Sequence, residues 1–124
     1  MKKLFSLLIM TFAILFGGFT NSVQAADQVQ ALHILVPTEA QAIKIRNEIV
    51  AGETKQKVFQ NFMSAAQKYS TCPSGKSGGI LGWFGRGDMV KPFEEAAFNL
   101  PNGQVSEPVK TQFGYHLIYV ISKK

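Results

Sequence analysis

The sequence predicts an α+β domain built on a mostly antiparallel sheet. Two stretches near opposite ends, residues 29–36 and 114–122, alternate in the period of two that marks strands. Two stretches between them carry apolar residues at helical spacing. Strands and helices then mix without a regular βαβ repeat, which argues against a parallel sheet.

A leader has to be set aside before the elements are read. Lys2 and Lys3 precede a nearly unbroken apolar run from Leu4 to Gly18, and Val23-Gln24-Ala25 offers small residues where a signal peptidase would cut. The run is shorter than the roughly 18 residues of a spanning helix. Residues 1–25 are therefore expected to be a cleaved signal peptide and residues 26–124 a single exported domain, periplasmic or secreted, with no stable membrane insertion after cleavage.

The first strand should span residues 29–36, with Leu32 and Ile34 on one face and Ala31, His33 and Leu35 on the other. Pro37 ends it. Thr38 followed three residues later by Gln41 is a capping-box signature, so a helix should run to about Val50 with Ala42, Ile45 and Ile49 inward. Gly52 stops it. A second helix, residues 55–69, carries a wide stripe of Val58, Phe59, Phe62, Met63, Ala66 and Tyr69, which reads as core. Residues 70–79 form a polar, glycine-rich loop holding Cys72, and residues 80–84 a short strand. After the break at Gly85-Arg86-Gly87-Asp88, Pro92 suits the first turn of a short helix with Phe93, Ala96, Ala97 and Leu100 inward. Residues 105–109 contain Pro108 and should be an edge strand or loop. In the last strand, His116, Ile118 and Val120 share one face, and Tyr115, Leu117 and Tyr119 the other.

The 99 residues after the leader suit one core. Without Lys2 and Lys3, 11 basic face 8 acidic side chains, a net charge of +3. The basic residues are scattered singly, so a nucleic-acid stripe is not expected. Cys72 is the only cysteine and cannot form an internal bridge. It is either a small buried hydrophobe or a functional thiol.

Several chemical signals fail on inspection. Gly75-Lys76-Ser77 lacks the glycine five residues upstream that a phosphate-binding loop needs, since position 70 is serine. His33, His116 and Cys72 have no local spacing typical of zinc ligands, and nothing around Cys72 resembles a cysteine-protease signature. No metal, nucleotide or other cofactor is expected. The two histidines stand out, each mid-strand among apolar neighbours. They are either satisfied core residues or a pair meeting across adjacent central strands, each fixing the other's tautomer.

Four ordered motifs give the chain a family resemblance over nearly all of residues 31–120. They are Ala31-Leu32-His33-Ile34-Leu35-Val36; Tyr69 to Gly79 with Leu81-Gly82-Trp83-Phe84; Gly87-Asp88-Met89-Val90-Lys91-Pro92-Phe93-Glu94; and Thr111-Gln112-Phe113-Gly114-Tyr115-His116-Leu117-Ile118. Together they resemble the parvulin-type peptidyl-prolyl cis/trans isomerases, in a small, secreted, single-domain form. The resemblance implies a four-stranded, mostly antiparallel sheet wrapped by three to four helices. It implies that Leu81, Met89, Phe93 and Phe113 form an apolar pocket for the proline ring. Cys72 would lie near the substrate carbonyl, as nucleophile, hydrogen-bonding group or mild electrostatic element. His33 and His116 would form a hydrogen-bonded floor joined by Thr111. Substrates would be unfolded or flexible proline-containing polypeptides, met by a monomer without nucleic acid.

Two features depart from the family pattern. Ile80 stands where relatives often carry a polar residue. The loop after the first strand shrinks to Pro37-Thr38-Glu39, without the basic cluster of phospho-dependent relatives. The rival readings are a binding module of this shape without turnover, and a generic secreted domain whose histidines and cysteine are core.

Overall fold

The computed structural model describes residues 26–124, and the expected signal peptide, residues 1–25, lies outside them. Four strands and three α-helices follow in the order β1 (Gln28–Val36), α1 (Glu39–Val50), α2 (Lys55–Tyr69), β2 (Ile80–Gly85), α3 (Lys91–Asn99), β3 (Val109–Thr111) and β4 (Gly114–Lys123). A 3-10 turn, Pro73–Ser77, lies between α2 and β2. The sheet order is β2-β1-β4-β3 and every neighbouring pair is antiparallel. The two strands with the clearest alternation thus become the two central ones.

Local chemistry sets the element ends where the sequence placed them. Thr38 caps α1, its hydroxyl oxygen accepting from the Gln41 N–H at 3.2 Å while its O–H donates to Gln41 Oε1. Thr54 caps α2 in the same way through the Lys57 N–H. Each cap satisfies a backbone donor that the first helical turn leaves unpaired. Pro92 sits in the first turn of α3, where its missing N–H costs nothing.

The pleat then divides the apolar residues between two cores. On one face, Leu32, Ile34, Val36, Leu117 and Tyr119 pack under α1 and α2 against Ala42, Ile45, Ile49, Phe62 and Ala66. On the other, Val29, Ala31, Ile118 and Val120 pack against Phe84, Phe93, Ala97 and Phe98. α3 covers only part of this second face.

Three details depart from the sequence reading. The edge strand β3 begins after Pro108, at Val109, because proline has no N–H to give a ladder; Val105 makes only an isolated bridge to Tyr119. Inside the loop after α2, Pro73 opens a 3-10 turn closed by Gly78 at φ +81°. In α3, Phe98 joins the core and the Glu94 carboxylate is buried.

Candidate active site

The site lies on the partly covered face, and the register of the central strands creates it. Leu35 pairs with His116 and His33 with Ile118, so the two histidines are diagonal neighbours across β1 and β4. Their rings stack with centroids 5.4 Å apart and planes 21° apart, and the two Nδ1 atoms lie 3.2 Å apart. One Nδ1 must carry a hydrogen and the other a lone pair, which requires opposite tautomers.

The neighbours assign which is which. Ser74 Oγ donates to Cys72 Sγ at 3.3 Å, spending its only proton. His33 Nε2, 3.1 Å from the same oxygen, is therefore the donor to Ser74. His33 Nδ1 is then bare and accepts from His116 Nδ1–H. His116 Nε2 accepts in turn from the Thr111 hydroxyl at 2.8 Å, whose oxygen accepts from the Phe113 N–H at 3.2 Å. Each donor is used once along the row Phe113, Thr111, His116, His33, Ser74, Cys72.

Both rings are nearly fully buried, and burial penalises the charged imidazolium. His33 is held down at about 4 instead of its ordinary 6.5, by desolvation first and by the adjacent His116 second. Desolvation lowers His116 to about 4 as well. The pair is neutral at neutral pH, as opposite tautomers demand.

Phe93 meets both rings edge-on, at 5.6 Å from His33 and 5.1 Å from His116. Above this floor opens a cavity of about 430 Å³ lined by Leu81, Met89, Val90, Phe93 and Phe113 together with Leu35, Cys72 and Asp88. A smaller hollow between α1 and α2, about 250 Å³, is lined largely by Glu48, Asn61, Ser64 and Lys68 and has no comparable apolar wall.

Backbone devices aim the wall residues. β2 bulges between its pairings Ala31–Gly82 and Leu32–Ile80, which leaves Leu81 unpaired and turned toward the cavity. Gly82 takes φ +74° there. The loop carrying Cys72 is stitched to β1, since Leu35 N–H donates to Ser70 Oγ and Thr71 N–H to the Leu35 carbonyl. The loop carrying Met89 is held from below. Buried Glu94 accepts from the Gly87 N–H at 2.7 Å and pairs with Arg86 at 3.7 Å, while Asp88 accepts from the Gly85 N–H at 2.7 Å.

The eight residues singled out in the sequence thus converge. His33, Cys72, Leu81, Met89, Phe93, Phe113 and His116 line one cavity, and Thr111 reaches it through His116. Phe113 stands at the rim, 60% exposed. Cys72 is partly buried, so it is not a sealed core residue. Ile80 is half exposed. Sequence reasoning did not single out Ser74 as a link in the row, nor Leu35, Val90 and Asp88 in the lining. Pro73 opening a helical turn could have pointed to Ser74, and an Asp three residues after Gly85 to a side-chain-closed turn.

Comparison with known proteins agrees with this geometry. The model of the Rotamase family, the PPIC-type PPIase domain, matches residues 33–122. The foldase protein PrsA of Geobacillus sp. (strain WCH70) is 47% identical over 98 residues, 78% of this chain and 33% of that protein. A Campylobacter jejuni structure, described among SurA-like chaperones with PEB4 and Cj1289, superposes with a TM-score of 0.75 at 44% identity, covering 80% of this chain and 40% of the other. The solution structure of NmPin, the parvulin of Nitrosopumilus maritimus, gives a TM-score of 0.66 at 40% identity and is covered over 98% of its length. The chain spans about a third of the length of the curated foldase relatives it matches.

Proposed function

The chain belongs to the PPIC-type, or parvulin, family of peptidyl-prolyl cis/trans isomerases, and from that premise we propose that its cavity accelerates rotation about X–Pro bonds in unfolded or flexible polypeptides. The observation that carries the reading is the apolar cavity walled by Leu81, Met89 and Phe93 directly above a neutral, hydrogen-bonded histidine pair.

The chemistry asks for little else. Rotation about the amide C–N bond destroys resonance and meets a barrier of roughly 20 kcal/mol. No covalent bond need be made or broken. Burying the proline ring fixes one side of the rotor, at about 25 cal/mol per Å² of apolar area. The same wall strips water from the amide, and water favours the polar, planar form. Selective binding of the twisted amide by about 4–7 kcal/mol corresponds to roughly 10³- to 10⁵-fold acceleration. Cys72 acts without a covalent intermediate, as a weak, partly desolvated group beside the carbonyl. Ser74 already donates to its sulfur, so the thiol hydrogen is not spent on Ser74.

The link between β1 and α1 is only Pro37 and Thr38, with Glu39 opening the helix. It offers no basic cluster, which supports a site that does not require phosphorylated substrates. Removal of residues 1–25 would deliver residues 26–124 outside the cytoplasm, to work there as a monomer on proline-containing chains and not on nucleic acid.

The test is a proline-isomerisation assay on a short X–Pro peptide, with peptide binding measured alongside. Met89→Ala with Phe93→Ala should lower kcat/KM at least tenfold. Wild-type binding without acceleration would replace the enzyme reading with a binding module. Cys72→Asp should retain activity, and its total loss in a folded protein would overturn the non-covalent role.

A further inference from the structure

Ten residues line the cavity, and Asp88 alone among them is a carboxylate or a cationic side chain. It sits next in sequence to Met89, in the loop that carries that side chain into the wall. Its placement is fixed, because Asp88 Oδ2 accepts from the Gly85 N–H at 2.7 Å and closes the turn after β2. Among the described residues, that hydrogen bond and no ion pair engages the carboxylate. The cations nearest to it in sequence are differently placed. Arg86 pairs with Glu94 and lies over the Phe98 ring at 4.1 Å, and Lys91 is exposed at the start of α3 without lining the cavity.

We propose that Asp88 is a specificity-determining residue that makes the site prefer a lysine or arginine adjacent to the substrate proline. The inference rests on the isomerase reading and deepens it by naming a substrate class. A proline held against Met89 brings its chain neighbours to the cavity rim, where the free carboxylate oxygen is the only formal charge in the lining. An apolar wall on one side weakens solvent screening there relative to open surface. The domain's net charge of +3 opposes this only weakly, because its basic residues are scattered singly, exposed charges are screened at physiological salt, and the nearby Arg86 is paired with Glu94. A basic neighbour is therefore favoured and an acidic one disfavoured.

The experiment measures kcat/KM on peptides that differ only beside proline, carrying lysine, leucine or glutamate either before or after it. In wild type, lysine should exceed glutamate by about two- to fivefold in at least one series, the range of a single partly exposed ion pair. Asp88→Asn keeps an oxygen acceptor for the Gly85 N–H and removes the charge. It should bring the lysine-to-glutamate ratio toward one, whereas a purely structural role would lower all peptides together. Should that variant fail to fold, raising salt from roughly 0.01 to 1 M, which shortens the screening length from about 30 to 3 Å, must shrink the wild-type ratio. A ratio near one in both series, or one that survives both the substitution and the salt, overturns the proposal. Absence of acceleration on every peptide would instead overturn the isomerase reading beneath it.

Discussion

The two faces of the same sheet are built from alternate residues of the same strands, yet one is closed and the other open. Beneath α1 and α2, Leu32, Ile34, Leu117 and Tyr119 meet Phe62, Ile45 and Ala66 in a continuous apolar layer. On the opposite face, α3 seals the end holding Val29, Ala31 and Val120, and its first turn reaches only as far as the histidine pair through Phe93, leaving His33, Leu35 and His116 under a cavity. The polar pair is tolerated because its four ring nitrogens all have partners. The difference separates stability from chemistry by one residue of register.

Breaking the closed face should give the largest effect and leave the open face intact. Phe62 is fully buried, 5.9 Å from the Tyr119 ring. Phe62→Ala should cost about 3–5 kcal/mol, much of the stability of a domain this size. Denaturant unfolding at low temperature would measure it, with Phe62→Leu as a milder variant should the alanine protein not fold. In either, kcat/KM per folded molecule should stay at the wild-type value. A parallel fall in both quantities would show that the faces are not separable.

How far this division was legible follows from what alternation encodes. The period of two in residues 29–36 and 114–122 identified both central strands and sorted their side chains to the correct faces, His33 and His116 included. The cap residue Thr38, the stop at Gly52 and the stripe through Phe62 placed the first two helices. Periodicity does not say what covers a face, however. That the first turn of α3 lies beside the histidines and leaves the space above them open depends on how the short helix docks. The role of Ser74 depends on a 3-10 turn that places a loop side chain within 3.1 Å of His33. The buried Glu94 carboxylate reads as an exposed helical residue until the Gly87 N–H beneath it is known. The shift of β3 past Pro108 follows from one missing donor, visible in the sequence as a weak strand but not as a boundary.

The open face should also announce itself through pH. Unfolded, both histidines titrate near 6.5; folded, near 4. Between those values the unfolded chain binds more protons than the native one, so stability is fullest above 6.5 and falls as pH drops toward 4. Around pH 5.5 the difference approaches two protons, and each contributes a slope of about 1.4 kcal/mol per pH unit. That window lies above the ordinary carboxylate range, which isolates the imidazoles. Unfolding midpoints measured from pH 7.5 to 5 should fall steeply in wild type and less in His33→Gln. Equal slopes would mean that the pair is not held neutral.

The smallest effect tests the device that links the faces to the cavity wall. Gly82 sits at φ +74° in the bulge that turns Leu81 inward, and a Cβ added there meets nothing within 4 Å. Gly82→Ala should therefore cost only the left-handed backbone penalty, about 1–2 kcal/mol, and Gly82→Asn less, because asparagine tolerates that conformation. Gly79 offers the contrast, since its φ is +85° and an added Cβ would lie 2.4 Å from the His33 carbonyl oxygen. Thermal unfolding should rank Gly79→Ala well below Gly82→Ala, with Gly82→Asn nearest to wild type. If Gly82→Asn matched wild type in stability but lost activity, the bulge would matter for where it puts Leu81. If Gly82→Ala proved as damaging as Gly79→Ala, the space beside the bulge would not be open.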